Sequence, residues 1–138
     1  AELTPRAYGL LLSTLRKEKD WRASARTVSW ASKNDASKLN AQHFTLAISA
    51  CARSRQWRAA LDLLRLAGSA ADVVCFNAAL AACASAGRGR EALQLLEKEM
   101  PRAGVVADAY SYSAVFGALG RAGKGQQVLG LLERMRRR

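Results

Sequence analysis

The segment that decides the fold is DVVCFNAALAACASAGRGREALQLLEKEM, residues 72–100. Three apolar residues of its first half recur at the spacing of one helix face: Phe76, Leu80 and Cys83. Asp72 is a favourable N-cap for this helix, and the glycines of AGRG are typical of its end. A second apolar pattern follows in REALQLLEKEM. The segment therefore predicts two helices joined by a tight turn, the first over residues 73–85.

The same pattern recurs along the chain. A shift of 32 residues aligns 47–64 with 79–96, and a shift of 36 aligns the third unit with a fourth. A backward shift of 36 places Trp57 on Trp21. Repeats are therefore expected at 5–40, 41–72, 73–108 and 109–138, the last incomplete. The third unit carries one extra residue in LEKEM.

The repetition predicts the fold class. A single helical hairpin cannot bury enough apolar surface alone, whereas stacked hairpins share one continuous core. Rare proline and abundant alanine, leucine and arginine agree with helix. We expect an all-α fold, an α-solenoid of about four repeats and eight helices, as a single array over residues 1–138.

The charge indicates a polyanionic partner. Lysine and arginine number 22 against 11 acidic residues, which gives a formal net charge of +11. Nucleic acid is the commonest partner of such a surface, and an acidic protein or a membrane surface comes second. A uniformly basic organellar or ribosomal subunit is the remaining interpretation. No run reaches the roughly 18 apolar residues that membrane insertion needs. The chain begins at Ala1 without methionine, which indicates a processed or excerpted sequence.

The cysteines offer little chemistry. Three cysteines and one histidine lack the spacing of a zinc site, and Cys75 and Cys83 are too far apart on a helix for a disulfide. We expect all three to pack in the core. A dyad of His43 with Cys51 has no orienting third group, and no phosphate-binding loop is present. The sequence predicts no enzyme, no metal and no cofactor.

The period near 35 and the pattern of residues 72–100 resemble the pentatricopeptide repeat proteins. The resemblance covers nearly the whole chain and is weak only in the first unit. The tetratricopeptide repeat, at 34 residues, is the competing family, but its tryptophan, leucine-glycine and tyrosine spacing is missing. The resemblance implies single-stranded RNA binding at one base per repeat, in the RNA metabolism of a mitochondrion or plastid. The alternative is a scaffold subunit of a larger organellar complex, with mainly protein contacts.

The resemblance also implies which residues read bases. In the family, the residue after the aromatic of the first helix acts with the residue that closes the repeat. The implied pairs are Gly9 with Asn40, Thr45 with Asp72, and Asn77 with Asp108, while Ser113 lacks its partner. Thr45 with Asp72 resembles a guanine reader, and Asn77 with Asp108 a uracil reader. The closing residues are equally good helix N-caps, which requires no RNA.

Two further sets complete the implied interface. Residues two places before the aromatic resemble the positions that hold bases from either side: Arg6, Gln42, Val74 and Tyr110. Basic residues recur at the end of the first helix, near the phosphate backbone in the family: Lys17, Arg53 and Arg121. Ser85 is the exception in this row. A solvated basic surface is the alternative interpretation of the row.

Overall fold

The computed structural model describes residues 3–137, which form eight long helices, two short 3₁₀ helices (Ala36–Lys38 and Gly68–Ala70) and no strand in this range. The first hairpin contains α1 (Pro5–Lys17) and α2 (Trp21–Asn34), and the second contains α3 (Ala41–Arg53) and α4 (Trp57–Ala67). The third contains α5 (Val73–Ser85) and α6 (residues 89–102), and the fourth contains α7 (Ala109–Arg121) and α8 (Gly125–Arg137). The predicted all-α solenoid is confirmed. Ala1, Glu2 and Arg138 of the predicted array lie outside the described residues.

The helices form two layers. The first helices α1, α3, α5 and α7 pack side by side, and each of α2, α4 and α6 also contacts the first helix of the next hairpin. The core lies between the layers. One slot of the first helix is fully buried in three successive hairpins, where it holds Cys51, Cys83 and Leu119. Cys51 and Cys83 therefore serve as small apolar residues between the layers.

Each first helix begins at a side-chain cap. Thr4, Asn40, Asp72 and Asp108 accept a hydrogen bond from the backbone N–H three residues later. This bond satisfies one of the amide groups that a helix start leaves without a partner. The caps fix where each first helix starts, and the candidate site lies at these starts.

The turn inside each hairpin needs a left-handed residue. Gly87 and Gly123 adopt φ of 69° and 72° there, as the AGRG pattern predicts. The first two hairpins use Lys19 and Arg55 at the same place, with φ of 59° and 58°. A side chain in this conformation costs about 1–2 kcal/mol. These two turns are therefore strained.

Helix α6 absorbs the extra residue of the third unit. Its α-helical ends are Gly89–Gln94 and Met100–Arg102, and a π turn covers Leu95–Glu99 between them. The backbone N–H of Met100 bonds to the carbonyl of Leu95, five residues back. Leu95 and Met100 are consequently both buried although five residues separate them. The wider turn also lies where Pro101 has no N–H to donate.

Candidate nucleic-acid interface

The proposed reading residues lie along the starts of the first helices. Thr45, Asn77 and Ser113 follow the aromatic residue in α3, α5 and α7. The closing residues Asn40, Asp72 and Asp108 are exposed and cap the next first helix, so the capping role is observed. Capping alone does not exclude base contact, because a carboxylate offers several acceptor sites.

The structure brings Asn77 and Asp108 together. The Asn77 amide nitrogen donates to the Asp108 carboxylate at 3.1 and 3.3 Å, across the boundary between two hairpins. Hydrogen bonds from the backbone and hydroxyl of Ser111, and from Asn77, hold the pKa of Asp108 below its usual value. Asn77 is only 8% exposed, which is unusual for an asparagine. Its amide therefore has a defined orientation.

Thr45 has a different arrangement. No hydrogen bond joins Thr45 to Asp72 within the described chain, and the Thr45 hydroxyl lies 3.2 Å from the Cys75 sulfur. Cys75 also directs its thiol to the backbone carbonyl of Ala41 at 3.3 Å. In the first unit Gly9 has no side chain to offer Asn40. The structure thus places one of the three implied pairs in direct contact.

The implied base-holding residues project into solvent. Val74 is 53% exposed and Tyr110 57% exposed, although both are apolar or aromatic. Gln42 and Arg6 are exposed at the same position of their helices. The aromatic residue two places later, such as Phe76, is buried in the core instead. Flat and apolar side chains are therefore available on the surface beside the reading residues.

The basic row lies at the other end of the first helices. Lys17, Arg53 and Arg121 are exposed final residues of α1, α3 and α7. Cations in this place also interact favourably with the helix dipole, without any ligand. Whether they meet phosphate stays a prediction.

Ser85 interrupts the row of basic residues at the ends of the first helices, and two guanidinium groups lie on either side of it. Arg55 donates from Nε to the Ser85 carbonyl at 2.9 Å, and Arg121 donates from Nη1 to the Ala84 carbonyl at 2.9 Å. Both bonds cross between hairpins and satisfy carbonyls at the end of α5. Comparison of equivalent positions in the repeats does not identify Arg55, because this residue lies in the left-handed turn after α3 and not at the end of the helix. Its basic side chain was the available signal.

The tryptophans pack at the hairpin turns. Trp21 and Trp57 are partly buried against the core. The guanidinium of Arg88, from the next hairpin, lies 4.5 Å from the centre of the Trp57 ring. This cation–π contact joins two repeats.

The thiols are chemically quiet. All three cysteines are free and buried, and burial raises the pKa of Cys51 to about 11 and that of Cys83 to about 12. The described part of the chain has no group of three or more histidine, cysteine and acidic residues placed to hold a metal ion. Over residues 3–137, none of the helices combines the length and the apolar character that crossing a bilayer requires.

Stacked hairpins with a recurring polar position at each helix start define an α-solenoid built from sequence repeats. The model of the PPR repeat family matches residues 71–121, and the model of the PPR repeat matches residues 43–67 and 110–138. The chain belongs to the pentatricopeptide repeat proteins. This helical-repeat family typically binds RNA, is generally non-catalytic and is commonly organellar. No curated protein matches the chain.

Proposed function

We propose that this chain is a sequence-preferring, single-stranded RNA-binding module. It would act in organellar RNA processing, stability or translation, in a mitochondrion or plastid, by holding a strand and not by catalysis. The observation that carries the proposal is the contact between Asn77 and Asp108, because it joins both members of a reading pair across a repeat boundary. A capping aspartate alone would not need an asparagine beside it.

The remaining hydrogen-bonding groups of Asn77 suit uracil. One amide N–H is directed to Asp108, which leaves one N–H donor and carbonyl lone-pair capacity. The edge of uracil presents an N–H donor beside carbonyl acceptors, so donor meets acceptor in both directions. Asp108 stays ionised well below neutral pH, since hydrogen bonds lower its pKa. It therefore continues to orient the amide.

Stacking and charge supply the rest of the interaction. Val74 and Tyr110 offer exposed apolar surface on either side of the third reading position. Contacts of this kind contribute about 1–3 kcal/mol per base. Lys17, Arg53 and Arg121 would neutralise phosphates at the opposite helix ends. Four units read few bases, so we expect modest affinity from this segment alone.

Titration with short labelled RNAs at several salt concentrations tests the proposal. Binding should weaken steeply with salt, with a log–log slope of about −0.7 per phosphate contacted. A GU step facing the second and third units should be preferred. Asn77→Thr should shift the third unit from uracil toward guanine, because the residue pair then matches Thr45 with Asp72. No binding at low salt would refute the proposal, and an unchanged preference would refute the pairing.

A scaffold subunit of an organellar complex is the second candidate. An open groove between α4 and α6 favours it, since Ala71 and the edges of the largely buried Leu64 and Phe76 form its floor. Its charged margin is made by Arg65, Glu99 and Arg102. Apolar surface with charged margins is typical of protein contacts. The same titration separates the candidates, because a scaffold predicts no base preference at any unit.

A further inference from the structure

In each unit that is followed by another repeat, one residue of the next first helix lies beside the reading position. It is the third residue of the next first helix: His43, Cys75 and Ser111. Ser111 donates its hydroxyl proton to the carbonyl oxygen of Asn77, and Cys75 contacts the hydroxyl of Thr45 at 3.2 Å. A Cβ built on Gly9 would lie 3.8 Å from Nε2 of His43. His43, Cys75 and Ser111 are all buried.

We propose that Cys75 and Ser111 are positioning residues, which fix the hydrogen-bonding state of Thr45 and Asn77 and thereby determine which base each unit accepts. The inference rests on the proposed RNA-binding function. It adds a third member to each reading pair, contributed by the following repeat.

Ser111 and Asp108 orient the Asn77 amide from two sides. The carboxylate of Asp108 only accepts, so the amide must turn its nitrogen toward it. The Ser111 oxygen accepts from the backbone N–H of Asp108 at 3.1 Å. Its single proton has two acceptors within reach, the Asn77 carbonyl oxygen and the Asp108 carboxylate at 3.0 Å, and the contact with Asn77 is the shorter one. Rotation of the amide would break both contacts. Without Ser111, the carbonyl side loses its buried donor and the amide gains freedom.

Cys75 acts on Thr45 through the direction of one proton. The thiol has a single hydrogen, and the Ala41 carbonyl at 3.3 Å accepts it. The Thr45 hydroxyl then donates to the sulfur, and both of its lone pairs remain for a base. An acceptor beside the Asp72 carboxylate suits guanine, whose edge carries adjacent N–H donors. Loss of the sulfur would free the hydroxyl proton, which could then meet the acceptor nitrogen of adenine.

His43 occupies the same position, but both of its ring nitrogens already have hydrogen-bond partners. Its Nδ1 accepts from the backbone N–H of Asn40 at 3.0 Å, and its Nε2 lies 2.8 Å from the Pro5 carbonyl. The ring therefore carries its proton on Nε2, with both nitrogens engaged. This agrees with Gly9, because a unit without a reading side chain has nothing to orient.

The test compares Ser111→Ala and Cys75→Ala with the unaltered chain on RNAs that differ only at the base facing unit two or unit three. Loss of one hydrogen bond corresponds to about a fivefold change in binding ratio. Ser111→Ala should lower the preference for uracil over cytosine at unit three about fivefold, and leave the guanine preference at unit two unchanged. Cys75→Ala should lower the preference for guanine over adenine at unit two and spare unit three.

Each variant is the control for the other, since general destabilisation would weaken binding to every RNA equally. Ser111→Cys retains a donor for Asn77, and Cys75→Ser retains both a donor for the Ala41 carbonyl and an acceptor for Thr45. Both variants should therefore retain the preference, which also guards against a variant that fails to fold. If the unaltered chain prefers GU and the alanine variants keep that preference, the inference is overturned and the proposed function stands. If the unaltered chain shows no preference, both are overturned.

Discussion

Gly89 is the first residue of α6 and lies against α7. A Cβ added there would be 3.0 Å from Leu119 Cδ2, 3.2 Å from Leu119 Cα and 3.4 Å from the Ala118 carbonyl oxygen. Carbon atoms normally approach to about 3.5–4.0 Å. Leu119 is fully buried, and two of these three atoms belong to the backbone of α7, so Gly89→Ala should push α6 away from α7. We expect overpacking to cost about 1–3 kcal/mol.

Gly125 provides a matched control. It is the first residue of α8, the same slot one repeat later, and a Cβ there meets nothing within 4 Å. Both substitutions replace a glycine at the first residue of a helix, so any gain from the higher helical preference of alanine is shared and cancels when the two variants are compared. Gly125→Ala should therefore be more stable than Gly89→Ala by about 1–3 kcal/mol.

Urea unfolding followed by circular dichroism measures this difference, provided that the two variants share one m-value. In thermal unfolding, each kcal/mol should appear as about 4 °C in Tm for a domain of this size. Equal stability of the two variants would refute the close approach of α6 and α7. A changed m-value would show instead that the fourth hairpin unfolds separately.

Three further predictions follow from other features. Lys19→Gly should stabilise the chain by about 1 kcal/mol in urea unfolding, because it removes a left-handed side chain; Arg55→Gly should gain less, since it also loses the bond to Ser85, and equal gains would contradict that bond. The three cysteines should resist a thiolate-selective reagent at pH 8 in the native chain and react fully in urea, because burial raises their pKa values; native labelling would contradict their placement. Native hydrogen bonds lower the pKa of Asp108. Its contribution to stability is therefore complete above about pH 4, the usual aspartate pKa, and is lost as the pH falls through the lower native value. Asp108→Asn should weaken this loss of stability in acid when unfolding is measured against pH, and an unchanged loss would contradict the network.

Much of the fold is readable from the sequence because its signals are local. The helix over Val73–Ser85 was predicted with the bounds that the structure has. Asp72 before it and Gly87 after it act within a few residues, so spacing alone identifies them. The extra residue in LEKEM was also visible, but its conformation was not, since a π turn depends on burying Leu95 and Met100 on one face.

The site was less predictable, because its contacts join residues about one repeat apart. Ser111 and Asn77 are 34 residues apart in the chain, and no spacing rule connects them. The residues at the third position are histidine, cysteine and serine, which share polarity but no motif. Only the stacking of first helices shows that they lie beneath the reading residues. The same holds for Arg55, whose contact with Ser85 depends on the turn.

The contacts across hairpin boundaries determine which segment must be exchanged to change the base preference of a repeat. A cassette that covers residues 73–108 carries Asn77 and Asp108 but leaves Ser111 behind, and the amide would then meet whatever residue the recipient supplies. A cassette that covers 76–111 transfers all three together. On our proposal, the segment that carries the preference for one base is offset from the structural repeat by three residues. Segments exchanged with that offset should keep their base preference in a different repeat array.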